Sequence, residues 1–156
     1  MSDIELLDNK IIVYQLEDEE YAIPVTYVGS IERILPITRV PRTPKFVKGV
    51  INLRGVVTPV IDLKERFYEQ ETKFTDQTRI IIVNVNEITV GIIVDGAKDV
   101  IDIQADQIEP APEAVGAAVV DYITGVVKIE KRLLILMDIT KVLNKEELNE
   151  LKLMDG

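Results

Sequence analysis

The sequence predicts an all-β protein of two small β-barrels packed side by side, with short helices as minor elements. Most apolar residues lie in runs of four to eight that are rich in valine and isoleucine and end at Gly, Asn, Asp or Glu, as strands do. At least seven such runs follow one another, which favours a barrel or sandwich over alternating strands and helices. The third observation is an internal repeat, which indicates two barrels rather than one.

The predicted elements can be followed in chain order. The strand-like runs are 11–14, 47–53, 56–63, 80–85, 90–94, 126–129 and 133–139. Residues 63–68 predict a short helix that leads into a polar stretch. Residues 105–118 contain Pro110, Pro112 and Gly116, so this segment predicts a loop with at most one helical turn.

The end of the chain, 144–156, predicts a helix. Asn144 can cap its first turn, and Glu147 follows three residues later, as in a capping box with Asn in the Ser/Thr place. The residues that mark its apolar side are Leu148, Leu151 and Met154. We expect this side to pack on the body of the protein rather than to bind a partner.

One part of the internal repeat appears at a shift of 76 residues, which places 47–63 on 123–139 without a gap. The identical residues that it superposes include Gly49 on Gly125 and Asp62 on Asp138. A matched glycine is explained most simply by a structural need that both copies share. The same holds for the matched aspartate.

The other part appears at a shift of 69 residues and matches 11–13 with 80–82, and 23–25 with 92–94. Ile31 then falls on Val100, or on Ile101 with a slip of one. The matched segments have the same order in both halves, so each half is predicted to be one unit of about 65 residues, used twice. A lone unit of that size has a marginal core, and two units can share apolar surface.

These observations predict a division of the chain into three parts. They are an N-terminal tail at 1–10, a domain at 11–143 with intertwined lobes of about 11–78 and 79–143, and the helix and tail at 144–156.

Composition excludes several classes of function. The sequence has no histidine, cysteine or tryptophan, which removes the usual nitrogen and thiolate ligands of transition metals and the Ser-His and Cys-His nucleophile pairs. It has no glycine-rich phosphate-binding motif. We therefore expect no catalytic residues, no metal, no cofactor and no enzymatic activity. The net charge of −9 argues against binding to nucleic acid.

The location of the protein is predicted from the same kind of evidence. No apolar run approaches the length of about eighteen residues that a membrane span needs, so we expect no direct membrane insertion. The N-terminus has neither a basic start nor an apolar signal core, and the absence of cysteine fits a reducing compartment. The cytoplasm is the expected location.

A carboxylate-dependent enzyme with a hard cation such as magnesium is the main alternative from a different class. Asp62, Asp95 and Asp138 each follow an apolar strand, where carboxylates can ligate such an ion. Two of the three are repeat counterparts, so strand-end residues are the simpler interpretation.

Four ordered segments resemble the CheW family. The first, 44–55 continued by 59–63, reads PKFVKGVINLRG and PVIDL and is similar to the family's signature. The others are an opening hairpin at 13–23, a Val-Asp segment at 90–100 and a closing motif at 122–138. Together they cover about residues 11–143, and four segments in order are far more specific than one Asn-Leu-Arg-Gly string.

The resemblance implies a fold and a function. CheW proteins consist of two five-stranded SH3-like β-barrels, in agreement with the repeat. They are scaffolds of bacterial chemotaxis that join the cytoplasmic tips of methyl-accepting chemoreceptors to the histidine kinase CheA, through its own CheW-like regulatory domain. The expected location is therefore cytoplasmic, at the membrane-associated receptor array through its partners. With no kinase or receiver segment beside the domain, we expect a free-standing adaptor.

The resemblance also indicates the residues that bind partners. Arg54 and Gly55 lie between two apolar runs, where Gly55 can supply positive φ in a tight turn and Asn52 can bond the turn backbone. The tight turn accounts for the glycine, but it does not require an arginine at the neighbouring position. On a rigid turn, a guanidinium can bind carboxylates or amides, and in the family this position faces the receptor- and kinase-binding region.

Two valines are candidates through the resemblance alone. In the family, the receptor tip packs in a groove between the barrels, and the matching positions include Val28 and Val100, although each can equally be a core residue. The family often has a glutamate two residues after the first valine, where this chain has Ser30. We expect Glu32, two residues further on and on the same strand side, to be able to take its place.

A third hypothesis is a coupling protein of a non-chemotactic receptor–kinase pathway built from similar parts. The residues do not separate it from a chemotaxis adaptor.

Overall fold

The computed structural model describes residues 10–110, 122–143, 147 and 149–151, and this part of the chain is mostly β. Its strands are β1 Lys10–Leu16, β2 Glu19–Pro24, β3 Val28–Glu32, β4 Val47–Leu53, β5 Val56–Asp62, β6 Arg79–Val85, β7 Ile88–Val94, β8 Gly96–Asp102, β9 Ile108–Glu109, β10 Ile123–Ile129 and β11 Arg132–Met137. A short helix, α1, spans Leu63–Tyr68. Single 3-10 turns are formed by Val25–Tyr27, Ala105–Gln107 and Ile139–Lys141.

The strands form two sheets, which confirms the predicted all-β class and is consistent with two SH3-like barrels. The six-stranded sheet has the order β8-β1-β2-β11-β10-β9, and the five-stranded sheet has the order β3-β6-β7-β5-β4. The sixth strand of the larger sheet, β9, has only two residues. Its counterpart in the smaller sheet is the single bridge between Thr38 and Val50, so the two sheets have the same plan.

Each sheet contains a hairpin from the other half of the chain. The hairpin β1–β2 lies between β8 and β11, and β6–β7 lies between β3 and β5. Each sheet therefore takes strands from both of the ranges 11–78 and 79–143, and the division into intertwined lobes at that boundary stays a prediction. The exchange ties the halves together covalently and through backbone hydrogen bonds.

The predicted repeat is present at the level of individual strand positions. The shift of 76 superposes the first residues of β4 and β5 on those of β10 and β11, and the shift of 69 does the same for β1 and β2 on β6 and β7. In the edge strands, Ile31 pairs with Ile81, and Val100 pairs with Ile12. Ile31 and Val100 are thus counterparts, and the alignment without a slip is the correct one.

The glycines at the start of β4 and β10 have the shared structural need that the sequence indicates. Both lie at an irregularity in the pairing with the next strand, between Val47 and Gly49 and between Ile123 and Gly125. A Cβ atom on Gly49 would lie 2.0 Å from the carbonyl oxygen of Thr38, and one on Gly125 would lie 2.6 Å from that of Glu109. Neighbouring backbone approaches too closely for any side chain.

The main core lies between the sheets and draws on both of them. Tyr14 and Tyr21 of the six-stranded sheet stack with ring centroids 5.9 Å apart, and Tyr21 continues onto Phe67 of α1. Phe67 also stacks on Tyr122 at 5.1 Å. Each sheet has a smaller apolar cluster of its own in addition. Because the largest cluster is shared, neither sheet has a complete core alone.

Part of the predicted C-terminal helix lies within the described residues, and 147 and 149–151 are helical. Leu151 is buried in the main core, as predicted for the apolar side. Glu147 receives two hydrogen bonds from Arg66 of α1, at 3.1 and 3.2 Å. Asn144, Leu148 and Met154 lie outside the described residues. In the described part of the chain, no helix has the length and apolar character needed to cross a membrane.

Candidate functional site

The turn between β4 and β5 consists of Arg54 and Gly55, because Leu53 and Val56 are the last paired residues. Both turn residues have positive φ, 50° and 89°, as a type I′ hairpin turn requires. Nothing lies within 4 Å of a Cβ built on Gly55, so its backbone conformation, not crowding, calls for glycine. Its N–H donates to the side-chain oxygen of Asn52 at 2.7 Å, which confirms the predicted bond to the turn backbone.

Arg54 is an arginine in a left-handed conformation, which costs about 1–2 kcal/mol in residues that have a Cβ atom. Its side chain is 67 % exposed, and its guanidinium donates to the carboxylate of Glu32 at 3.0 Å. Glu32 ends β3, on the far edge of the same five-stranded sheet. The pair therefore fixes an exposed arginine on a rigid turn.

The carboxylate of Glu32 is influenced by two neighbouring side chains. The guanidinium of Arg54 and, second, the hydroxyl of Ser30 hold the pKa of the Glu32 carboxyl below its usual value. Ser30 and Glu32 therefore face the same side of β3, as the two-residue period of a strand predicts. Ser30 belongs to the site through its effect on Glu32, although the sequence analysis did not select it. The period of two was the signal that could have identified it.

Val28 and Val100 do not lie beside the turn. Val28 begins β3 and is half-buried against the main core, about 13 Å along the strand from Glu32. Val100 lies in β8 of the other sheet and is 58 % exposed. The structure thus brings together Asn52, Arg54, Gly55 and Glu32, and it places the two valines on separate edge strands. That the valines bind a receptor stays a prediction.

Several exposed apolar residues were not predicted as site residues. Val56 and Val57 directly follow the turn and are 56 % and 46 % exposed. Their position, two apolar residues in succession where β5 begins, was the available signal. Ile31, the counterpart of Val100, is also exposed. We call the group formed by Ser30, Glu32, Asn52, Arg54, Gly55, Val56 and Val57 the turn surface.

The three strand-end aspartates have structural partners. Asp62 is buried, caps α1 by accepting from the N–H of Lys64 at 3.1 Å, and accepts from Thr72. Asp95 pairs with Lys64 at 2.8 Å, and Asp138 caps the last 3-10 turn. Among the described residues, no three carboxylates are grouped as metal ligands would be. The three aspartates therefore act as caps of a helix and a turn and as an ion-pair partner.

Comparison with known proteins gives concordant results. The family model described as CheW-like domain matches residues 10–147. The chain is 50 % identical over 137 residues to the chemotaxis protein CheW of Bacillus subtilis, covering 88 % of each protein. It is 40 % identical over 144 residues to that of Klebsiella aerogenes, covering 92 % of this chain and 87 % of the relative.

A solved structure agrees with these sequence matches. The crystal structure of the scaffolding protein TtCheW from Thermoanaerobacter tengcongensis superposes with a TM-score of 0.81 at 33 % identity. The superposition covers 90 % of this chain and 96 % of that one.

Proposed function

The chain belongs to the CheW family of chemotaxis proteins, and from this premise we propose that it couples methyl-accepting chemoreceptors to the histidine kinase CheA. It acts as a scaffold, without chemistry of its own. It is located in the cytoplasm, at the receptor array, through these partners. The relatives at 40 % and 50 % identity support the chemotaxis role.

The turn surface is the observation that carries this proposal for the present chain. Arg54 is exposed, oriented by Glu32 and followed by two exposed valines. Arginine is enriched among the residues that dominate protein–protein affinity, and its planar fork suits paired hydrogen bonds to a partner.

The test is a binding measurement on Arg54→Glu, with a receptor tip and the regulatory domain of CheA each used alone. Reversing the charge removes the guanidinium and leaves Glu32 facing a like charge. We expect affinity for at least one partner to fall about tenfold or more, which corresponds to about 1.4 kcal/mol. The circular dichroism spectrum and the melting temperature should stay nearly unchanged, because the turn is exposed.

The matched control is Lys131→Glu, which makes the same charge change in the counterpart turn between β10 and β11. We expect this variant to bind both partners within about twofold of the wild type. Glutamate is compatible with the backbone conformation of Arg54, since the counterpart of Arg54, Glu130, has a φ of 55°. Unfolding of Arg54→Glu would make Arg54 a structural residue, and a wild-type protein that binds neither partner would exclude the adaptor function.

A further inference from the structure

Charge is distributed very unevenly between the two halves of the chain. The 29 residues 33–61 contain no Asp or Glu and six of the 18 cations, although the whole chain has 27 acids. These cations are Arg33, Arg39, Arg42, Lys45, Lys48 and Arg54. The segment with the corresponding place in the second half, 102–137, contains six acids and only three cations, all of them after residue 127. The shared fold therefore does not require the basic segment.

The loop at 39–45, which we call the basic loop, exposes three cations that form no ion pair with any carboxylate in the described part of the chain, although Lys48 and, more weakly, Arg39 lower the pKa of nearby Glu71. Arg39, Arg42 and Lys45 are exposed, and none of them forms an ion pair with a described carboxylate. Arg132, by contrast, binds two carboxylates, those of Glu20 and Asp99. The cations of the basic loop are thus available to an external anion.

The backbone of the basic loop is constrained. Pro41 and Pro44 fix two φ angles, and the hydroxyl of Thr43 donates to the carbonyl of Val40 at 3.1 Å. Arg42 has a φ of 63°, a left-handed conformation that is costly for an arginine. A constrained loop presents its charges with a smaller entropy loss on binding than a flexible one.

Two neighbouring cavities flank the basic loop. One, of about 360 Å³, is lined by the loop itself and by Val47 and Lys48. The other, of about 370 Å³, is lined by Arg39, Lys48, Ile37, Thr72, Glu71 and Phe74. Phe74 is 51 % exposed, a large aromatic surface in contact with water. The acid on this rim, Glu71, already accepts a hydrogen bond from Lys48 at 2.8 Å.

We propose that the basic loop binds an acidic peptide segment of a partner protein, with an apolar side chain of that segment in the cavity beside Phe74. Carboxylates would pair with Arg39, Arg42 and Lys45, and the apolar side chain would cover Phe74. The inference does not rest on the coupling role. The basic loop and the turn surface lie at opposite ends of β4, about 20 Å apart by the rise of a strand.

The charge of the whole chain favours a short acidic segment over a nucleic acid or an anionic membrane. The chain carries a net charge of −9, so long polyanions that extend beyond the basic loop meet acidic surface. Screening limits favourable attraction to about 8 Å at physiological salt. A short segment confined to the basic loop gains the attraction without that repulsion.

The test uses the full chain and a fluorescein-labelled peptide of alternating glutamate and alanine with one central leucine, followed by fluorescence anisotropy. We expect binding that weakens as salt rises and that is lost when glutamine replaces glutamate in the peptide. The double variant Arg42→Glu/Lys45→Glu should weaken binding about tenfold or more. The double variant Lys98→Glu/Lys131→Glu changes net charge equally at exposed sites elsewhere and should stay within about twofold.

A second arm tests the apolar contact. Phe74→Ala should weaken binding of the leucine peptide about fivefold and leave binding of a peptide with alanine in its place unchanged. The neutral pair Arg42→Gln/Lys45→Gln should show a smaller loss than the glutamate pair, and circular dichroism checks that each variant is folded. Equal losses in the two charge-reversed variants, equal binding of the glutamine peptide, or tighter binding of single-stranded DNA or of phosphatidylserine vesicles would each overturn the proposal.

Discussion

The hairpin β4–β5 and the hairpin β10–β11 occupy equivalent places in the two sheets. They agree only in the glycine near their beginning and the aspartate at their end, which we call the frame of the hairpin. Each begins at a glycine against neighbouring backbone and ends at an aspartate that caps the next turn. Their tips differ, because Arg54 and Gly55 in one correspond to Glu130 and Lys131 in the other. Features that both hairpins share are required by the fold, whereas features found only in β4–β5 are not. The turn surface belongs to the second group.

The largest effect that tests this separation is expected at the shared glycines. Gly49→Ala should lower the free energy of unfolding by about 3 kcal/mol or more, because a Cβ would clash with Thr38 and the φ of 138° disfavours a side chain. Gly125→Ala should cost less, about 2 kcal/mol, since the clash with Glu109 is milder and involves the two-residue β9. Urea unfolding measures both.

Gly29→Ala serves as the control for both glycines. A Cβ on Gly29 would lie 3.6 Å from its nearest neighbour, an ordinary contact, so the change should stay within about 0.5 kcal/mol. If Gly49→Ala and Gly29→Ala were equally stable, close approach of Thr38 would not explain why residue 49 is glycine. Close backbone approach would then not be the reason that both hairpins contain this glycine.

The second test compares the two aspartates, which cap in the same place but differ in burial. Asp62 is fully buried and accepts from the N–H of Thr72 at 2.8 Å and its hydroxyl at 2.6 Å, besides capping α1. Asp62→Ala should cost about 3 kcal/mol, because it leaves buried donors without an acceptor. Asp138→Ala should cost about 1 kcal/mol, the usual value of an N-cap. Similar shifts in melting temperature for the two variants would contradict this difference.

Much of the frame could be predicted from the sequence, because it depends on local patterns. The repeat located both hairpins, and the β-branched runs located most of the buried strands. The edge strands β3 and β8 were not among these runs, since exposed residues such as Ser30 and Lys98 interrupt their apolar pattern. The lobes were predicted to be intertwined, but which hairpin each half exchanges could not be predicted. Both arrangements satisfy the same local pattern, and only long-range pairing distinguishes them.

The candidate site was predictable in part for the same reason. Asn52, Arg54 and Gly55 are adjacent in sequence, so a turn pattern shows them together. Glu32 was selected through strand periodicity, but its contact with Arg54 joins the two opposite edges of one sheet, which no local pattern shows. The basic loop carries no motif of its own, and its unpaired cations become visible only once the positions of the acids are known.

The smallest expected effect concerns the ion pair of the turn surface. Arg54 is the main cause of the lowered pKa of Glu32, so Arg54→Gln should raise this pKa toward its usual value of about 4.3. Ser30→Ala should raise the pKa of Glu32 less. A carboxyl whose pKa is lower in the folded state adds stability above its unfolded pKa and loses it as pH falls through the folded value. The stability difference between wild type and Arg54→Gln should therefore be present at neutral pH and vanish in acid. Because Arg54 is 67 % exposed, it should not exceed about 0.5 kcal/mol. Carbon-13 NMR titration of the Glu32 carboxyl measures the shift, and an unchanged midpoint in Arg54→Gln would show that Glu32 does not orient the arginine.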